Sequence, residues 1–180
     1  VPADVINRAI EKAKGGSTEN YDSLRYEGFG PGASTIIVDC LTDNVNRTVA
    51  AMNSCFNKSH SKMGVKGSVS FNYDNFGVLS FENENEEEVL DLLLSKDVNV
   101  ADVKVEDGLM TVYTDPSDFH AAQEALEEAY PGVEFETLGL KMIPQEYVTI
   151  DNPEDQELWN RLLTLLNDVE DVQEIFHNVK

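Results

Sequence analysis

Three histidines, two cysteines and a short acidic run are the groups in this 180-residue chain whose chemistry invites inspection first. His60, His120 and His177 fall on separate elements, with no carboxylate or cysteine at the spacing that a metal site or catalytic dyad requires. Cys40 closes an extended segment and Cys55 lies on a helix flank. No CxxC or HExxH pattern accompanies them, and free buried thiols are expected rather than a disulfide. Serines and threonines are plentiful, but neither a GxSxG elbow nor a P-loop frames one. The run Asn83-Glu84-Asn85-Glu86-Glu87-Glu88 lacks the central glycine and the spaced final glutamate of an EF-hand loop. It reads as a helix start whose acids face the positive end of the macrodipole. No catalytic residue, metal site or cofactor is expected from these patterns.

The basic residues offer a different chemistry, contact with phosphates. They are Arg8, Lys12 and Lys14 near the start, then Arg47, Lys58, Lys62 and Lys66. Arg8 and Lys12 share an exposed helical face, and residues 44–73 contain no acid at all. That is unusual in a chain with 13 Lys+Arg against 34 Asp+Glu and a formal net charge of −21. The acidity is uneven: residues 1–77 balance 8 acids with 8 bases, 78–144 hold 17 against 3, and 145–180 hold 9 against 2. One end of the molecule is therefore mixed and the rest strongly acidic. The total charge weighs against non-specific polyanion binding, yet screening over about 8 Å lets a local basic loop act alone. Lys66 to Tyr73 has a faint likeness to an RNA-recognition strand, but serines stand where two stacking aromatics belong, and the match is rejected. No apolar run is long enough for a membrane helix and no signal peptide is evident, so a cytoplasmic chain with no membrane partner is expected.

Periodicity supplies the elements that must position these residues. Residues 3–14 read as a helix ended by Gly15-Gly16, and two strands follow at about 23–29 and 34–40 around Gly30-Pro31-Gly32. A helix runs from Thr42 or Asp43 to Lys58 with Val45, Val49, Met52 and Phe56 inward, and Gly67–Tyr73 alternates as a half-buried strand. Strand 78–81, helix 86–96, a hairpin 102–114 turning at Asp107-Gly108, helix 118–129 and strand 133–140 form a βαββαβ order. Strand 147–150, helix 154–167 and strand 172–177 complete the chain. Removing 78–144 leaves a second βαββαβ order, so the expected class is α+β, with one ferredoxin-like unit inserted in another. Asp115-Pro116-Ser117-Asp118 and Asn152-Pro153-Glu154-Asp155 look like the same helix cap used twice.

Tyr26-Glu27-Gly28-Phe29-Gly30-Pro31-Gly32, preceded by Arg25, and Thr42-Asp43-Asn44-Val45-Asn46-Arg47-Thr48, preceded by Cys40-Leu41, resemble motifs of the YebC/PmpR family, which includes a mitochondrial translational activator of cytochrome oxidase subunit I. Pro2–Ile10, Gly67–Phe71 and Asp171–Asn178 extend the resemblance over the whole chain in family order. It implies three domains: a basic N-terminal helical domain of which residues 1–16 would be the last helix, a central α/β domain of 17–77 plus 145–180, and an inserted acidic ferredoxin-like domain of 78–144. The bulk of the first domain would then be missing from this sequence. Family members are described as DNA-binding transcriptional regulators or as ribosome-associated translation factors that ease synthesis through proline-rich stretches, and none as an enzyme. Arg47 would bind a phosphate or clamp the Gly30-Pro31-Gly32 turn. Two departures stand out: Val45 where many relatives carry Arg, and Ser59-His60-Ser61 where they carry Gly-Gly.

The expected function is accordingly a non-enzymatic, monomeric regulator of gene expression. Its partner would be promoter DNA or the ribosome and its RNA, with Arg8, Lys12, Lys14, Arg47, Lys58, Lys62 and Lys66 as contacts and a protein partner for the acidic domain. The rival is a ligand-sensing or protein-interaction module, since paired ferredoxin-like units often hold small molecules.

Overall fold

A computed structural model of the chain describes residues 20–180. The expected helix 3–14, with Arg8, Lys12 and Lys14, lies outside the described residues. The described chain is α+β and divides into two compact units, one running to Asp74 and resuming at Ile143–Lys180, the other formed by Asn75–Met142.

The first unit is built on a sheet of strands β1 (Asp22–Phe29), β2 (Thr35–Thr42), β3 (Lys62–Gly64) and β8 (Val172–His177) in the order β3-β1-β2-β8. β1 and β2 form an antiparallel hairpin, β3 pairs antiparallel with β1, and β8 pairs antiparallel with β2. Its helices are α1 (Val45–Lys58) and α4 (Pro153–Asn167). Alternate residues of central β2 point to the helices, and Ile36, Val38 and Cys40 join Met52, Cys55, Phe56, Trp159, Leu162 and Leu166 in one core. Ile37, on the opposite face of β2, is also fully buried.

This unit departs from the expected βαββαβ plan. Strand 23–29 belongs to the sheet, Val148 makes only an isolated bridge to Val179, and Gly67–Asn72 is not a strand. It turns at Gly67, whose φ is +86, and passes through a 3-10 turn at Ser70–Asn72. The cause is Glu27. Its carboxylate accepts the N–H groups of Gly67 (2.7 Å), Val69 (2.9 Å) and Ser70 (2.6 Å), so these amides need no ladder partner. Val69 is buried, and Tyr73 anchors the exit of the segment through its hydroxyl, 2.8 Å from that of Thr35. Phe71, expected inward, is 69% exposed.

Helix α1 is also rotated from its expected face. Thr48, Met52, Cys55 and Phe56 are buried, whereas Val45 and Val49 are exposed. Both cysteines are free and buried, and burial raises the Cys55 thiol pKa.

The second unit follows the sequence reading closely. Strands β4 (Tyr73–Glu82), β5 (Val100–Glu106), β6 (Leu109–Thr114) and β7 (Phe135–Pro144) alternate with helices α2 (Glu86–Ser95) and α3 (Phe119–Ala129) in βαββαβ order. The sheet order β5-β6-β4-β7 is the ferredoxin-like arrangement. The β5–β6 hairpin turns through Asp107 (φ 51) and Gly108 (φ 79), both left-handed as a type I′ turn requires. Leu79, Phe81, Val89, Leu93, Met110, Val112, Phe119, Ala122 and Leu126 form its core. The two proline-containing helix starts are not equivalent. Asn152 caps α4, accepting from Glu154 at 2.8 Å, while Asp115 caps nothing and a 3-10 turn precedes α3. Asn85 caps α2 by accepting from Glu88, in keeping with a solvated helix start.

Candidate nucleic-acid interface

The glycines of the Tyr26–Gly32 motif serve packing. A Cβ at Gly28 would run into the ring of Phe56, and one at Gly30 would meet the Ser34 hydroxyl and the Trp159 ring at 3.2 Å. Gly32 takes φ +66, and the turn is closed by Gly30 N–H to the Ser34 carbonyl (3.0 Å) and by the Ser34 hydroxyl to the Pro31 carbonyl (2.6 Å). Tyr26 lies half-buried against the core, where burial raises its phenol pKa. Glu27 holds the 67–70 loop. Burial opposes its charge, but the three backbone donors prevail and its carboxyl titrates below the usual range.

Thr42, Asp43, Asn44 and Arg47 form a lock at the start of α1. Asn44 is the N-cap, its side chain accepting from the Arg47 N–H at 3.1 Å, and the Thr42 hydroxyl accepts the Asn44 N–H at 3.0 Å. The Arg47 guanidinium reaches Asp171 at 2.9 and 3.2 Å and Asp43 at 2.8 Å. Thr48 donates to the same Asp171 carboxylate at 2.9 Å. Hydrogen bonds to Asp171 and then Asp43 raise the Arg47 pKa. Arg47 thus ties α1 to the residue that precedes β8, and its partners are not in the Gly30-Pro31-Gly32 turn. The exposed Asn46 contributes no contact to this lock.

The remaining cations separate by what they touch. Arg25 is spent on its cross-strand neighbour Asp39, through two bonds of 2.6 and 2.9 Å. Lys58, Lys62 and Lys66 are exposed and have no ion-pair partner among the described residues. Lys58 ends α1, Lys62 opens edge strand β3, and Lys66 lies on the loop held by Glu27. Arg161 of α4, unremarked in the sequence, reaches this region by donating to the Lys58 carbonyl at 3.2 Å. Its signal was a lone arginine in an acidic segment.

One aromatic ring also lies at this edge, and a second is exposed one residue beyond the loop held by Glu27. Phe29 and Lys62 are directly opposed on β1 and β3, so they share one face of the sheet. Since Gly28 faces Phe56 of α1, that shared face is the one turned away from the helices. Phe29 is 41% and Phe71 69% exposed. The Phe29 ring also lies over Gly64, within 3.0 Å of where a Cβ would stand. The sequence hid this pair because Phe29 ends a segment read simply as a strand and Phe71 sits in one read as a half-buried strand.

Among the described residues no group of three or more His, Cys, Asp or Glu is placed to hold a metal ion, and no helix is long and apolar enough to cross a membrane. His177 packs edge-on to Trp159 at 5.1 Å, and burial lowers its pKa.

Comparison with known proteins adds the family. Residues 21–179 match the family model described as the second and third domain of TACO1/YebC. A probable transcriptional regulatory protein of Idiomarina loihiensis is 44% identical over 180 residues, covering all of this chain and 75% of its own. One of Pseudoalteromonas translucida is 45% identical over 178 residues, or 99% of this chain and 74% of its own. The crystal structure of a conserved hypothetical protein from Aquifex aeolicus aligns with a TM-score of 0.75 at 29% identity, over 99% of this chain and 73% of that one. With its motifs, its two units and these relatives in agreement, the chain belongs to the TACO1/YebC family, whose related members are named as probable transcriptional regulators.

Proposed function

We propose that this chain is a non-enzymatic regulator of gene expression that contacts nucleic acid through the β3 edge of its first unit. The observation that carries the reading is local charge: in a chain of net −21, residues 44–73 contain no acid. Of the four cations in that stretch, Arg47 is committed to Asp171 and Asp43, which leaves Lys58, Lys62 and Lys66 for phosphates. Phe29, opposite Lys62, and the exposed Phe71, one residue beyond the loop that carries Lys66, suit stacking on unpaired bases, which favours single-stranded RNA, such as exposed ribosomal RNA, over duplex DNA. A duplex reader presents several groove-reaching side chains on one helix, whereas the exposed positions of α1 include Val45, Asn46, Val49 and Asn53.

The test is binding of the 180-residue chain to a short single-stranded RNA and to a DNA duplex of equal length across a salt series. Three phosphate contacts predict a slope of log K against log salt of about −2 for the single strand. The triple variant Lys58→Glu, Lys62→Glu, Lys66→Glu should abolish binding, and Phe71→Ala should weaken RNA binding about tenfold with little change in slope. Binding unaffected by the triple variant would sink the interface. Tighter binding to the duplex would move the target to DNA.

A further inference from the structure

The second unit carries a feature that the nucleic-acid reading leaves unused. At one end of its sheet, where Glu82 ends β4 opposite Leu109 of β6, a solvent-open cleft of about 520 Å³ lies beneath the turn leading into β7. Its size falls within the range of about 300–1,000 Å³ usual for ligand sites. The turn is fixed by its residues: Pro131 at the second position, Gly132 at φ +82 in the third, and the Val133 N–H bonded to the Tyr130 carbonyl at 3.0 Å. Two part-exposed aromatic rings, Tyr130 and Phe135, contribute to the lining, backed by the buried ring of Phe81. Phe81 lies 5.9 Å from the ring of Tyr130 and 5.9 Å from that of Phe135. The Tyr130 hydroxyl donates to Glu88 at 2.9 Å, which holds that ring in place.

Three carboxylates, Glu82, Glu134 and Glu136, complete the lining, and all three residues are exposed. None has an ion-pair partner among the described residues, and no lysine or arginine lines the cleft. The three lysines of the unit are engaged or placed elsewhere: Lys96 faces Glu128, Lys104 lies over Tyr113, and Lys141 is buried. Aromatic rings bordered by uncompensated carboxylates suit a cation with a flat, weakly hydrated head, which can lie against a ring while its N–H groups reach the oxygens. Guanidinium meets that description better than ammonium.

We propose that this cleft receives an arginine side chain carried on a basic segment of a partner protein. Charge complementarity selects that occupant. Residues 78–144 hold 17 acids against 3 bases, a field that draws a cationic polypeptide and repels nucleic acid. A cleft of this volume also leaves room for residues flanking the arginine. The proposal does not rest on the β3 edge, and the two surfaces are tested with different ligands.

The experiment titrates the isotopically labelled 180-residue chain with a short arginine-containing peptide, with the same peptide carrying citrulline, and with spermidine. The arginine peptide should shift the amide signals of Glu82, Leu109, Tyr130 and residues 132–136, and citrulline, which keeps the shape without the charge, should bind at least about tenfold more weakly. The Glu134→Gln, Glu136→Gln double variant should weaken the arginine peptide about tenfold at unchanged Tm. The Asp97→Asn, Asp115→Asn variant removes the same charge at the opposite end of the sheet, and should alter affinity by no more than about twofold. Equal losses in the two variants, or shifts spread over the whole acidic surface, would reduce the effect to bulk charge and overturn the site. Spermidine binding as tightly as the peptide would make it a polyamine site and overturn the polypeptide partner.

Discussion

Replacing Glu27 with glutamine tests the account of the first unit most directly, since it removes a charge and changes almost no volume. The carboxylate uses one oxygen for the N–H groups of Val69 and Ser70 and the other for that of Gly67. A glutamine oxygen can keep the first pair, but its NH2 then opposes the Gly67 donor, and that bond is lost. Bonds to a charged acceptor contribute about 1.5–3 kcal/mol each, against roughly 1 for neutral ones. One bond lost and two weakened, offset by relief from burying a charge, leave a destabilisation of about 2–3 kcal/mol. At about 2–4 °C per kcal/mol for a chain of this size, Tm should fall by roughly 5–10 °C. Amide exchange at Gly67, Val69 and Ser70 should accelerate more than exchange in α1 or β2. The acid dependence has a definite sign. The folded carboxyl titrates below its unfolded value of about 4.3, so its contribution is complete above that pH and is lost as pH falls through the folded pKa. Wild type and variant should therefore converge in stability on acidification. A variant that melts within 1 °C of wild type, with unchanged exchange in the loop, would refute the claim that Glu27 organises residues 67–70.

Other consequences are simpler to state. Asp171→Asn removes a charge from the buried acceptor of Arg47 and Thr48 and should cost about 2 kcal/mol in urea unfolding; Arg47→Lys should destabilise less than Arg47→Ala, since lysine keeps charge without the fork. Gly28→Ala forces a Cβ into the Phe56 ring and should cost about 1–3 kcal/mol by the same assay. Phe71→Ala should change stability by no more than about 0.5 kcal/mol, where an inward strand position would cost 3–5. His177 has a depressed pKa, so stability should decline as pH falls below about 6.5, where the unfolded chain takes up the proton first; His177→Gln should flatten that slope in thermal melts.

Where the sequence was legible, each element carried its own instructions. In the second unit the apolar period, the Asp107-Gly108 turn and the Asn85 cap are all local, and the βαββαβ order follows from them. The first unit was misread wherever a distant side chain decided the backbone. Gly67–Tyr73 alternates as a strand should, yet its amides are claimed by a carboxylate forty residues earlier, which no window of the sequence contains. The face of α1 turned for a related reason. Thr48 reaches Asp171, and it and Cys55 take the inward places expected of Val45 and Val49, while Met52 and Phe56 stay buried as expected. The candidate interface inherits the same difficulty. Lysines 58, 62 and 66 could be found by counting charge, but not the fact that Arg25 and Arg47 are spent on carboxylates. Nor could the exposure of Phe71, which follows the loop that Glu27 holds, or that of Phe29, on the sheet face turned away from the helices. Membership of a family motif and exposure to a partner are thus separate properties in this chain. The motif residues Glu27, Gly28, Gly30 and Arg47 act inward, shaping an edge whose outward chemistry lies in Phe29 of the same motif and in lysines that the motif does not contain.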